Sequence, residues 1–435
     1  MKHTLFMFLV LAVGIPGALF NPFVGLIIYY AFATLYPHHL WQHALPQGVR
    51  WSLMIALATL GGYLFKGMAH GAAAGRWPLE KKLLLLLACL TVLSFIDSID
   101  PILAREQVDT YLKIFLMCFV ACGLLNTRYR LHVLAVTVVL TLGWMAVDFN
   151  QRYVLMNQKN FLETGFGTLD NNGVAALMTV AMPFCLFLFS QEKRWYLKWP
   201  PLAAMVLMLH VVLFSMSRSA MLACALTVPF FLLRQRPRWQ GVALTIVMLV
   251  LGLTLAGPGV RDRFLSIGEY QADESAQIRL AAWNTSVRIM QDYPMLGVGP
   301  NCFRRVVGGY NSELTDRTVH NSFLQVAVDM GVPAGIVCLL IPIVAFIRLR
   351  KLRRQYREDP FVFNLAGCLQ ASLLAYVLVG SFSSIGTIEL PYIVLVMAIG
   401  LENVTAAEAP ARLGLAAEHA QPLWKMLEGL KPATT

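Results

Sequence analysis

The sequence predicts an all-α protein: a polytopic inner-membrane helical bundle of twelve or thirteen transmembrane helices with one long helical periplasmic loop. Three observations predict it. Hydrophobic residues make up 57% of the chain and charged residues only 14%, against about 25% charge in soluble domains, and the mean hydropathy is +0.62. Apolar runs tile nearly all 435 residues, and in lipid each segment must pair its own backbone groups, which selects helices. Basic residues gather in short loops between those runs. The formal charge of +11 is spent in such loops, so membrane lipids are the expected surroundings and no nucleic acid is expected.

Windows near the ~20 residues needed to cross the hydrocarbon fall at 3–20, 22–36, 49–66, 82–98, 111–126, 131–149, 172–190, 200–216, 217–233, 239–256, 320–347, 363–382 and 386–403. The first carries the single lysine Lys2, and Gly14-Ile15-Pro16-Gly17 leads straight into the next apolar run. It therefore reads as an uncleaved membrane helix rather than a signal peptide. The first two windows are short and share a Pro/Gly-broken junction, which leaves the count at twelve or thirteen.

Orientation follows from the positive-inside rule. Lys66, Arg76, Lys81 and Lys82 form one cluster, Arg128 and Arg130 a second, Lys193, Arg194 and Lys198 a third. Arg234, Arg236 and Arg238 follow, then Arg348, Arg350, Lys351, Arg353, Arg354 and Arg357. Neighbouring clusters are two spans apart, so all can be cytoplasmic together, with the tail after Glu402. Segments 37–48, 99–110, 150–171 and 257–319 are then outside. The chain divides into N-terminal spans (1–164), a core with the long loop (165–404) and a tail (405–435).

The long loop holds Arg261, Arg263, Arg279, Arg288, Arg304, Arg305 and Arg317. Arginines in such a loop can adhere to anionic headgroups or grip a phosphorylated ligand, since guanidinium forks match phosphate oxygens. Within the loop, Asp273-Glu274-Ser275 precedes a helix that ends before Pro294. Ile278, Ala282, Thr285 and Ile289 recur at helical spacing, a face expected to pack on the bundle. Arg279 and Trp283 share another face. Arg288 lies nine residues from Arg279, about half a turn out of phase, so a straight helix cannot aim both at one phosphate. "MLGVGPNCF" then makes a glycine-rich turn.

Other polar residues have plainer readings. Seven of the eight cysteines lie in apolar runs as small hydrophobes, and Cys302 alone stands in a polar loop. His38, His39 and His43 lack the carboxylate or cysteine that would complete a zinc set. Asp97 and Asp100 fit helix termination before Pro101 better than metal binding. No metal and no cofactor are expected.

Three stretches in order carry a resemblance. "SMSRSA" (215–220) sits at a helix hairpin, "IRLAAW…YPMLGVGPNCF" (278–303) lies in the long loop, and "HNSFLQVAVDMGVPAG" (320–335) opens the next span. Together they resemble the O-antigen ligase and O-antigen polymerase superfamily of bacterial membrane glycosyltransferases, over roughly residues 165–400. "YPHHLWQ" (36–42) and "TLDNNGVAA" (168–176) look most like the O-glycosylation ligases found beside exosortase systems. The resemblance implies a glycan donor on a polyprenyl pyrophosphate at the outer leaflet. The glycan passes, with inversion and without metal or nucleotide, to a hydroxyl on a protein, a lipid A core or another glycan. One departure is that Asp329 stands where the family usually has glutamate. It is half a turn out of phase with His320, and Gln325, four residues back, is its expected partner.

The residues suit that chemistry. Charge growing on a pyrophosphate leaving group calls for preorganised cations in a water-poor site, and the family match supplies Arg218 and Arg279. The acceptor hydroxyl must lose a proton, and His320 is the expected base. At a helix N-terminus among arginines its protonation is opposed. Arg288, Asn321, Asp170 and Asn171 are possible supporting residues, though "DNNG" also suits N-cap chemistry. The runner-up is an O-antigen-type polymerase. A transporter of lipid-linked oligosaccharide is a third reading, against which stands the lack of an evident internal repeat. A Cys302/Arg304/His320 transpeptidase is a fourth.

Overall fold

In the computed structural model, residues 2–46, 48–67, 77–156, 166, 169–234, 238–255 and 274–419 are described. Among them the fold is all-α, as expected, and the nearest thing to a strand is an isolated bridge between Phe166 and Leu169. The N-terminal helices are α1 (Lys2–Phe20), α2 (Pro22–Leu35), the short α3 (Pro37–Leu40) and α4 (Trp51–Gly62), which runs on as a π-turn, Tyr63–Gly67. Then come α5 (Leu79–Ile96), α6 (Pro101–Leu124), α7 (Arg128–Leu155), α8 (Asn171–Gln191), α9 (Trp195–Phe214), α10 (Arg218–Leu232) and α11 (Arg238–Leu255). Beyond residue 273 follow α12 (Glu274–Asp292), α13 (Phe303–Tyr310), α14 (Ser322–Met330), α15 (Val332–Gln355), α16 (Pro360–Gly380) and α17 (Glu389–His419). Arg76, Arg236, Arg261, Arg263 and Asp273 lie outside the described residues, as does the tail beyond His419.

Every expected span but 320–347 coincides with one helix, and among the described residues eight helices are long and apolar enough to cross a membrane by themselves: α1, α6, α7, α8, α9, α15, α16 and α17. Three more are shorter apolar helices: α2, α4 with its π-turn, and α10. Helix starts follow side-chain chemistry. Asp100, Thr127, Asp170 and Asp359 each accept a backbone N–H of the first turn, which satisfies one of the donors a helix leaves open. Of the expected terminating pair, Asp97 ends α5, whereas Asp100 starts α6.

One apolar core runs from Met7 to Val404, joining both halves of the chain. Its centre is α8, which has 89% of its apolar window buried against α7, α9 and α16. The basic loops meet at one end of the bundle. There Arg128 bridges Asp359 (2.5 Å) and Glu408 (2.6 Å), and Arg348 bridges Glu80 (3.1 Å) and Glu402 (2.5 Å). Arg353 donates to the Arg234 carbonyl at 2.9 Å.

Two expectations are corrected at the opposite, cap end. The window 320–347 is not one helix: it breaks at Gly331, whose φ of 91° is a left-handed-side conformation suited to glycine. A Cβ there would sit 2.0 Å from the Met295 carbonyl oxygen, and Pro333 starts the next helix afresh. His320 therefore precedes the separate helix α14, not a span. Second, the apolar face of α12 packs mainly away from the bundle. Ala282 and Ile289 are fully buried in a second core with Val298, Cys302, Phe303, Val307, Leu314, Val319 and Val328, in which Ala104 is the contribution of α6. That core defines a cap built from α12, α13 and α14. Cys302 stands in the turn before α13, as expected of a loop cysteine, but is buried in this core, close to Ser98 Oγ at 3.4 Å.

Candidate functional site

The cap is fastened by one carboxylate. Asp329 is buried and accepts from the backbone N–H of Asn301 and of Phe303, both at 3.0 Å, and from Gln325 Nε2 at 2.8 Å. The pairing with Gln325 is the one the sequence indicated. Burial pushes the acid up to about 7, against those three donors. The 297–303 turn also reaches α14 through its main chain, Val298 N to Val328 O at 3.1 Å and Gly299 N to Asp329 O at 2.8 Å. Gly297 and Gly299 are needed because a Cβ would lie 2.4 Å from Val328 O and 2.2 Å from Ser98 Oγ.

Gln325 carries this anchorage to His320. Its Oε1 accepts from Val319 N at 3.1 Å, while Trp283 Nε1 donates to Val319 O at 3.0 Å. The residue before the histidine is thus held on both sides. Asn321, the residue after it, caps α14 by accepting from Phe323 N and Leu324 N at 3.1 Å each. Between them His320 adopts φ 54°, a conformation non-glycine residues seldom take and which accumulates at functional sites. Ser322 then ties α14 to the 381–388 turn, donating to Ser383 O at 2.7 Å and accepting from Ile385 N at 2.9 Å.

His320 is half-buried. Burial lowers its pKa below 6.5; Arg279 and Arg317 lower it further, and Asp170 works in the opposite direction. The imidazole is therefore neutral near pH 7. Arginine repulsion was expected from the sequence, but desolvation is the larger cause. Arg317 also acts on this histidine, although the sequence reading did not select it; its position three residues before His320 was the available signal.

Asp170 brings a second element to the site. It caps α8 through Gly173 N at 2.7 Å. Next to it, Asn171 Nδ2 donates to Ser215 O at 2.9 Å and Asn172 Oδ1 accepts from Ser217 Oγ at 2.8 Å. These bonds stitch "DNN" onto the "SMSRS" corner, where Met216 is also left-handed at φ 57°. Arg218, partly buried, is the first residue of α10 immediately after that corner. Arg279 lies on the α12 face that carries Trp283. Arg288 is exposed on the opposite side of the same helix. The structure thus gathers His320, Arg279 and Asp170 electrostatically and joins Arg218 to them through 170–172. It leaves Arg288 apart. Among the described residues no group of three or more His, Cys, Asp or Glu side chains is arranged to hold a metal ion.

The fold and this corner define a class: a polytopic helical membrane protein with a capped polar site at one end of its bundle. Residues 203–339 match the family described as O-antigen ligase, which covers the Arg218 corner, the cap and α14; residues 1–157 match a family of unknown function. The match supports the O-antigen ligase superfamily for that part of the chain, and with it a membrane ligase that transfers glycan. No curated protein matches the chain.

Proposed function

We propose that the protein is an inverting glycosyltransferase that moves a glycan from a polyprenyl pyrophosphate donor to an acceptor hydroxyl at the periplasmic face of the inner membrane. The domain 165–404 would form its ligase core. One observation carries the reading: a neutral, half-buried His320 feels the charge of Arg279 and Arg317 beside the corner that ends at Arg218. His320 takes the proton of the acceptor hydroxyl as its oxygen attacks the anomeric carbon. The bond from that carbon to the phosphate oxygen breaks on the opposite face, and its electron pair leaves with the pyrophosphate lipid. Arg218 and Arg279 stabilise that charge in a site poor in water. Asp170 stabilises the imidazolium formed. The resemblance assigns no metal or nucleotide to this chemistry.

The test is transfer by the purified full chain in nanodiscs with a glycan-loaded polyprenyl pyrophosphate. Acceptor-dependent release of polyprenyl pyrophosphate is expected, and His320→Ala should abolish it. Undiminished turnover by that variant, at matched folded protein, overturns the assignment. Supplying a peptide from exosortase-sorted proteins, a lipid A core or a second lipid-linked repeat separates O-glycosylation, O-antigen ligation and polymerisation.

A further inference from the structure

Opening at the basic end, α7, α8 and α9 enclose a lateral cavity of about 600 Å³. Its walls are apolar, and Leu140, Trp144 and Val147 on its rim are exposed at 66%, 56% and 41%. Small residues make the groove: a Cβ on Gly143 would meet Ala204 Cβ at 3.2 Å, and Pro200-Pro201 open the α9 wall. From His132 to Val147 the groove follows α7 for ~22 Å at 1.5 Å per residue, enough to cross the ~15 Å of hydrocarbon in one leaflet.

The mouth is chemically different. His132 and Glu192 line it, and Lys193 and Arg194 are exposed in the loop beside it. Lys198 stands 4.6 Å over the Phe189 ring. Glu192 is occupied by the backbone N–H of Lys193 (2.9 Å) and Arg194 (3.0 Å), so the acid is already satisfied within a segment that carries three cations, Lys193, Arg194 and Lys198. Trp195, Tyr196 and Trp199 are exposed at 73%, 52% and 58%, the aromatic composition of a headgroup-level belt. An apolar slot of leaflet length that opens under a cationic, aromatic rim fits a lipid with a negative headgroup.

We infer that this groove binds one acyl chain of an anionic phospholipid, whose phosphate lies against Lys193, Arg194 and Lys198. The lipid would be a bound component distinct from the glycan donor, and the inference stands without the proposed chemistry. Native mass spectrometry of the full chain, released from nanodiscs of phosphatidylglycerol and phosphatidylcholine with matched chains, tests it. Wild type should retain one phosphatidylglycerol, preferred over phosphatidylcholine by about tenfold, a modest share of what three cations near a surface can supply. The Lys193→Ala/Arg194→Ala/Lys198→Ala triple should lose the preference but still bind either lipid. Ala204→Phe should reduce both, and Val147→Trp, on the exposed rim, serves if that variant does not fold. Unchanged preference in the triple, or unchanged occupancy in a folded groove variant, overturns the inference. So does a wild-type dimer that Ala204→Phe or Val147→Trp splits, since a second copy would then cover the groove.

Discussion

The two ends of the bundle use charge differently. At the basic end, guanidinium groups are shared between carboxylates on separate helices: Arg128 joins α7 to Asp359 and to α17, and Arg348 joins α15 to α5 and to α17. At the cap end, the buried Asp329 is satisfied by backbone and amide donors. Arginine charge is there felt by an imidazole instead. Cations at the first end brace helices, and those at the second are arranged around a group that titrates. Substitutions should therefore affect stability at one end and turnover at the other.

The sharpest test of that contrast is His320→Ala, which should lower transfer by 10²–10⁴-fold, the usual contribution of a positioned base, while the unfolding midpoint stays put. A matching loss of stability would erase the distinction. Next, Arg218→Lys and Arg279→Lys keep the charge but lose the fork, and each should cost roughly tenfold in transfer or more, about 1.4 kcal/mol, with expression unaltered. At the basic end the pattern should invert. Arg348→Ala leaves Glu80, 2% exposed, without its cation and should destabilise by roughly 3 kcal/mol, with specific activity of the folded fraction retained. Arg128→Ala, a third exposed, should cost only ~1 kcal/mol. Both are read by thermal unfolding beside an activity assay.

The smallest effect concerns pH. Because the folded-state pKa of His320 is below 6.5, its neutral form persists on the acid side of an ordinary histidine's titration. Transfer at pH 6.5 should exceed half its plateau, then fall as pH drops through the lowered value. The stability linkage has the same direction. Above 6.5 the histidine is neutral in both states and contributes nothing; below it the unfolded chain binds the proton more readily, so folding weakens. Asp329 runs oppositely, since its folded pKa of about 7 lies above the unfolded value of 3.8. Its contribution is most favourable at low pH and declines as pH rises from about 4 to 7. Hydrogen exchange of Asn301 and Phe303, corrected for intrinsic rates, would register the cap loosening over that interval.

Much of the bundle was legible in the sequence because lipid imposes a simple code of apolar length and flanking charge. Each window but 320–347 found a single helix, and the basic loops converged. The cap was harder to read. Its core residues, such as Ala104, Ile289, Phe303 and Val328, are separated by long stretches of chain, and no local period announces their meeting. The break at Gly331 had a signal, glycine followed two residues on by Pro333, but apolar sequence on both sides masked it. At the site, residue types pointed to His320, Arg279 and Arg218. They could not reveal that Asn171 and Asn172 fasten the Arg218 corner, because those bonds join residues more than forty positions apart.

The interruption at Gly331 is not a loose joint. On one side Val328 and Asp329 accept from the 298–299 backbone, and on the other Val332 N donates to Pro294 O at 2.9 Å. Rotation about the glycine would have to tear this short zipper open, so the two helices behave as a single elbow of fixed angle. Any tilt of α15 is then carried whole into α14 and the imidazole at its head.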